Sequence, residues 1–141
     1  MGARESDSGS LALVVQGKNS IVEASAAARA FGEAQWLTED ERARLCIIVE
    51  ELIANLYEHG GLQEDDPVRI NFDSEPDGIR VVIVDRGKPF DPRSRPRPAK
   101  RSDRGGGAGV DIVRAWAQIT DYSTTDEGNR LALLLPIGGQ F

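Results

Sequence analysis

The chain has 141 residues, a net charge of −6, one cysteine and one histidine, which fits one domain that buries its own core. The lone cysteine excludes an internal disulfide, and the lone histidine excludes metal centres built from several Cys and His ligands. The acidic charge argues against a general nucleic-acid binder. Because no apolar stretch reaches about 18 residues and no signal-peptide core is visible, we expect a cytoplasmic protein with no direct nucleic-acid or membrane partner.

The first predicted elements are a strand and a helix. A polar segment, residues 1–9, is predicted to be a flexible tail, and the apolar residues 11–15 form the first strand. Asn19 or Ser20 then caps an alanine-rich helix that reaches about Phe31.

A second helix and a hairpin follow. Thr38 and Glu41 have the spacing of a capping box, and the glycines within residues 59–61 end the helix that starts there. Residues 67–73 and 79–85 flank a Pro-Asp-Gly turn signal, so they are predicted to pair as an antiparallel hairpin.

The last third of the chain begins with a long loop. Residues 86–106 are rich in Pro, Arg, Ser and Gly and cannot form a core; a loop of this length in a small domain is usually a lid or a binding loop. A helix over 109–117 and a hairpin of 119–125 with 130–136 complete the chain. The pattern predicts a single domain, residues 10–141, folded as a two-layer α/β sandwich with a mixed or antiparallel sheet and helices on one face.

The second helix carries an acid and an amide inside an otherwise apolar run. Glu51 and Asn55 are four positions apart and share a helix face, whereas Glu50 points well away from Asn55. A carboxylate beside a carboxamide is typical of a site that handles a divalent cation and a proton. The alternative is a solvated pair of glutamates, since charged residues usually face water.

A glycine run opens the third helix. Gly105, Gly107 and Gly109 would let backbone N–H groups and the helix dipole approach a phosphate; the alternative is a flexible loop end before an ordinary helix start. A dinucleotide-binding motif needs a strand directly before the glycines, which is missing here. A P-loop at residues 17–20 is rejected because the earlier glycine is absent and Asn stands where Ser or Thr should bind magnesium.

The third motif lies at the end of the strand 79–85. Asp85 ends an apolar run, where its carboxylate could accept a hydrogen bond from a ligand amine, and Gly87 would let a flat ring lie against the backbone. Taken alone, the same residues describe a plain turn after a strand.

In this order and at these separations, the three motifs resemble the N, G1 and G2 boxes of the GHKL ATPase superfamily, which includes gyrase, a heat-shock chaperone, histidine kinases and a mismatch-repair ATPase. The resemblance covers nearly the whole chain. Within the superfamily, the chain is most similar to the stand-alone anti-sigma-factor serine/threonine kinases of bacteria. Residues 89–92 replace the second G1 glycine usual in histidine kinases, Glu50 stands where they usually have His, and no dimerisation helix with a phosphoacceptor histidine is visible.

The resemblance implies an ATP and Mg²⁺ site. Asn55 would coordinate the magnesium that bridges the phosphates, and Glu51 would be the catalytic base that orients and deprotonates the attacking hydroxyl. Asp85 would accept from the adenine amino group, and Gly87 would flank the ring.

The glycine run would bind the phosphates, with Gly107 and Gly109 presenting backbone N–H groups and Gly105 opening the run. From their place in the loop, Arg101 and Arg104 are expected to neutralise phosphate charge.

The leading functional hypothesis is an ATP-dependent serine/threonine kinase that phosphorylates an anti-sigma antagonist-type regulatory protein and thereby regulates transcription. A sigma factor is a second candidate partner, and a homodimer is left open. One alternative is a nucleotide-dependent protein that sequesters a sigma factor or other regulator without phosphoryl transfer. Another is a detached histidine-kinase catalytic domain.

Overall fold

A computed structural model describes residues 4–6, 9–94 and 108–138. In these ranges, six strands form one sheet in the order β1-β2-β3-β4-β6-β5, with every neighbouring pair antiparallel. They are β1 Arg4–Ser6, β2 Ser10–Val15, β3 Val68–Glu75, β4 Gly78–Asp85, β5 Gln118–Thr125 and β6 Gly128–Pro136. The predicted α/β sandwich is confirmed, and the sheet is antiparallel throughout.

The helices cover one face of this sheet. They are α1 Ser20–Ala34, α2 Glu39–Glu58 and α3 Ala108–Trp116, and a short 3-10 turn spans Pro92–Ser94. Helix α2 lies between the other two and packs against both. Because α2 also lies over the sheet, some of its side chains can reach the end of β4, and others can reach the start of α3.

The predicted capping box sets the start of α2. The Glu41 backbone N–H donates to Thr38 Oγ1 at 3.2 Å, and the Thr38 N–H donates to Glu41 Oε1 at 2.9 Å. Two of the backbone donors that a helix start leaves unpaired are therefore satisfied. At α1, Asn19 is the N-cap residue, but its side chain makes no capping hydrogen bond.

Alternation along β4 places a carboxylate on the buried face of the sheet. Ile79, Val81 and Ile83 point inward and are buried, and Asp85 occupies the next inward position at the end of the strand. Side chains that are two residues apart on a strand share a face. The core that covers this row is apolar, so Asp85 marks the end of the core and the start of a polar site.

Two segments differ from the prediction or lie partly outside the described ranges. Within the segment predicted to be a tail, Arg4–Ser6 pairs with β2 through the register Arg4↔Ala12 to Ser6↔Ser10. This strand has no apolar pattern, and its pairing comes from backbone hydrogen bonds to an existing sheet edge. Of the predicted lid, residues 86–94 are described, and residues 95–107 lie outside the described ranges.

Candidate functional site

Helix α2 carries the two polar side chains that the sequence singles out. Glu51 and Asn55 lie on one stripe of the helix and are partly exposed. Glu50 faces α1 instead, where Ser25 Oγ donates to Glu50 Oε2 at 2.6 Å, as the helical spacing predicts. In the described part of the chain, neither the Glu51 carboxylate nor the Asn55 carboxamide has a hydrogen-bond or ion-pair partner. Within the described residues, both groups are therefore available to a ligand.

The Glu51 carboxylate touches the first turn of α3. A Cβ atom added to Gly109 would overlap Glu51 Oε1, so only glycine leaves room for the carboxylate there. The N-terminus of a helix is its positive end, which favours an anionic group at this point. Of the predicted glycine run, Gly109 is thus brought to the catalytic candidate Glu51. Arg101, Arg104, Gly105 and Gly107 lie outside the described residues, so their predicted roles stay predictions.

Asp85 is held in place by two donors on one of its oxygens. The Gly87 N–H donates to Asp85 Oδ1 at 2.7 Å, and Asn129 Nδ2 donates to the same atom at 3.1 Å. Oδ2 makes no hydrogen bond within the described residues. The side chain is only 6% exposed, and burial raises its pKa, while the Gly87 and Asn129 hydrogen bonds work in the opposite direction. The arrangement leaves one acceptor atom for a ligand donor.

Asn129 is the site residue that the sequence analysis missed. Its Nδ2 also donates to the Gly87 carbonyl at 2.8 Å, and Thr124 Oγ1 donates to its Oδ1 at 3.3 Å. These partners fix which end of the buried amide faces Asp85. Its position along the strand could have identified it. Asn129 lies two residues before Leu131 on β6 and points inward like it, and a buried polar side chain needs a hydrogen-bond partner.

Gly87 ties the end of β4 to the end of α2. A Cβ at Gly87 would lie 2.6 Å from the Gly60 carbonyl oxygen, and the Lys88 N–H donates to that oxygen at 2.7 Å. This close approach requires glycine at position 87. Its predicted place beside a flat ring stays a prediction.

A pocket lies between α2, β4 and β6, and it brings Asn55 and Asp85 together. Its remaining lining is mostly apolar: Leu52, Leu56, Ile83 and Leu131 form the walls, and Phe90, Pro92 and Tyr122 form the rim. A mostly apolar cavity with a few converging polar groups is the usual form of a small-molecule site. Here the polar groups are an amide and a buried carboxylate.

The donor set fits a magnesium ion that is held mainly by phosphates. In the ranges that the structure describes, no group of three or more His, Cys, Asp or Glu side chains could hold a metal by itself. Mg²⁺ usually binds through one or two protein oxygens together with substrate phosphates and water. The Asn55 side-chain oxygen, which no described residue contacts by a hydrogen bond and which lies one turn from Glu51, fits that mode.

No helix in the described ranges is both long enough and apolar enough to cross a membrane. A search of curated proteins finds no match to the chain. The family model of the histidine kinase-like ATPase domain matches residues 16–135, a range that contains Glu51, Asn55 and Asp85 and all of the described pocket. The chain therefore belongs to the histidine kinase-like ATPase domain family, which indicates ATP binding with kinase-type or ATPase chemistry.

Proposed function

We propose that the protein is an ATP-dependent serine/threonine kinase of the anti-sigma type, which phosphorylates an antagonist-type regulatory partner. The observation that carries this proposal is the pairing of Glu51 and Asn55, which have no partner within the described residues, beside a pocket that ends in the buried carboxylate of Asp85. Phosphoryl transfer depends mainly on positioning and on neutralising charge. The site offers a base, a metal ligand and a ligand-facing acceptor in adjacent positions.

The adenine ring would enter the apolar pocket, and its amino group would donate to Asp85 Oδ2. The phosphates would then run along α2 toward the start of α3, past Asn55 to Gly109. A bound Mg²⁺ ion, with Asn55 among its ligands, would neutralise the charge that builds up on the phosphates during transfer.

The transfer step needs one proton acceptor at the phosphate end of the site. The partner's serine or threonine hydroxyl gives its proton to the Glu51 carboxylate, and its oxygen bonds to the γ-phosphorus. The bond between that phosphorus and the bridging oxygen breaks, and ADP leaves. Glu51 is suited to this role because it is accessible and has no cation paired with it in the described residues.

Two residues support a hydroxyl acceptor over a histidine. Glu50, at the position where histidine kinases usually carry histidine, is turned away from the site and accepts from Ser25. His59, the only histidine of the chain, stacks on Phe90 at a centroid distance of 6.2 Å. A regulatory protein that presents serine or threonine is therefore the proposed partner, and a sigma factor is the second.

The test is incubation of the protein with radiolabelled ATP, Mg²⁺ and antagonist-type domains encoded by neighbouring genes. Label should appear on a partner serine or threonine. Glu51→Gln should lower the transfer rate by about 10² to 10⁴-fold, the usual effect of losing a general base, while ATP still binds. Glu50→Gln is the matched control, because its amide oxygen can still accept from Ser25, and it should transfer at the wild-type rate.

Three outcomes separate the alternatives. Phosphohistidine as the product would favour a detached histidine-kinase catalytic domain. Tight binding of ATP and of a regulator without transfer would favour a sequestering protein. Equal transfer by Glu51→Gln and Glu50→Gln would remove Glu51 from the chemistry.

A further inference from the structure

The segment that follows β4 folds into the pocket that is proposed to hold the adenine ring. Phe90 and Pro92 line the same cavity as Asn55 and Asp85, and the cavity that remains has a volume of about 20 Å³. That is room for about one water molecule, whereas pockets for small ligands usually measure about 300 Å³ or more. A purine ring therefore does not fit beside Asp85 while this segment stays in place.

Among the described residues, Tyr122 and His59 help to hold Phe90 in this position. Its backbone N–H donates to the Tyr122 hydroxyl at 2.7 Å, and this bond joins the segment to β5. Its ring stacks on His59 at the end of α2, with an interplanar angle of 28°. The segment is thus fixed to both sides of the pocket.

The turn that follows is also ordered by local contacts. Asp91 Oδ1 accepts from the Arg93 N–H at 2.9 Å, and the Arg93 Nη2 lies 2.9 Å from Asp91 Oδ2. This clamp keeps Pro92 at the rim of the pocket. Because the clamp joins Asp91 to Arg93 inside the segment, it can stay intact when the bond to Tyr122 and the stacking on His59 are broken.

We infer that residues Phe90 and Pro92 form a plug that closes the nucleotide pocket of the free protein, and that Tyr122 is its latch. The inference rests on the proposed nucleotide site. The base of the nucleotide enters only from the open state, in which the Phe90–Tyr122 hydrogen bond is broken. The apparent affinity is therefore reduced by the fraction of molecules that are open.

The latch is tested with Tyr122→Phe, which keeps the ring and removes the hydroxyl. Stopped-flow binding of a fluorescent ATP analogue should be about two- to tenfold faster than for wild type, which corresponds to the loss of one hydrogen bond. Tyr57→Phe is the matched control: the Tyr57 hydroxyl lies 3.1 Å from Ser20 Oγ, away from the pocket. It should bind at the wild-type rate.

A second measurement follows the Phe90 amide itself by NMR hydrogen exchange in the wild-type protein. The amide should exchange slowly in the free protein and faster with saturating ATP and Mg²⁺, because the base displaces the plug. With Asp85→Asn, which is expected to bind poorly, the same nucleotide concentration should leave this amide protected.

The outcomes distinguish the plug from the nucleotide site. If wild type binds ATP but the Phe90 amide stays protected, or if Tyr122→Phe and Tyr57→Phe bind equally fast, the plug is refuted and the proposed function stands. If neither wild type nor Tyr122→Phe binds ATP, both are refuted. Binding by Tyr122→Phe alone would support a plug that is closed too tightly for wild type to bind under the assay conditions.

Discussion

Replacing Asp85 with asparagine tests whether the adenine pocket needs a hydrogen-bond acceptor at this position. Asp85 Oδ1 accepts from Gly87 N and Asn129 Nδ2, and Oδ2 has no hydrogen bond in the described residues. The new carboxamide would turn its oxygen toward the two donors, so its NH₂ group would occupy the position of Oδ2. That group cannot accept from the amino group of a base, and the two donors would face each other.

The expected loss of affinity follows from one charge-assisted hydrogen bond. Such a bond contributes about 1.5 to 3 kcal/mol, so the dissociation constant for ATP should rise roughly 10- to 150-fold. Titration calorimetry with Mg²⁺ measures this directly. Asp77→Asn, in the exposed turn between β3 and β4, is the control and should bind like wild type. Equal affinity of Asp85→Asn and wild type for ATP would refute the proposed contact between Asp85 and adenine.

The same substitution should change how stability depends on pH. Burial raises the pKa of Asp85 in the folded state, so the folded protein holds this proton more tightly than the unfolded chain does. The free energy of unfolding therefore falls as the pH rises from about 4, the ordinary aspartate pKa, through the raised folded value, and is level above it. Asp85→Asn removes this pH-dependent contribution to the free energy of unfolding. The stability of the variant relative to wild type should therefore be greater at about pH 7 than at about pH 4. Urea unfolding at both values measures this, and a difference that does not vary with pH would contradict it.

Two further substitutions test the supports of the site. Asn129→Ala removes three side-chain hydrogen bonds, to Asp85, Gly87 and Thr124, and should lower the free energy of unfolding by about 2 to 4 kcal/mol. Asn71→Ala, at an exposed position, should change it by less than about 0.5 kcal/mol. Equal losses in chemical unfolding would contradict the role of Asn129. Gly109→Ala keeps the backbone N–H at this position but should displace the Glu51 carboxylate and slow phosphoryl transfer by up to about 10²-fold, with the melting temperature retained. Unchanged transfer would show that the carboxylate moves aside freely.

Local rules of the chain determined the parts of the site that lie within one element. The capping box of Thr38 and Glu41 predicts the start of α2, and helical spacing then places Glu51 with Asn55 and turns Glu50 away. Alternation along the strand that ends at Asp85 also follows from the sequence alone. These features depend on neighbours within four residues, so the sequence contains all the information that they need.

The contacts between elements were decided only by the tertiary structure. Asn129 meets Asp85 because β6 pairs with β4 in the register Asp85↔Asn129, and hydrophobic patterning does not specify which strands are neighbours. The contact of Gly109 with Glu51 likewise depends on how α3 packs against α2, and the bond from Phe90 to Tyr122 depends on the position of β5 in the sheet. Each of these contacts joins residues more than thirty positions apart, where loop closure and packing of the whole core, rather than local preference, fix the geometry.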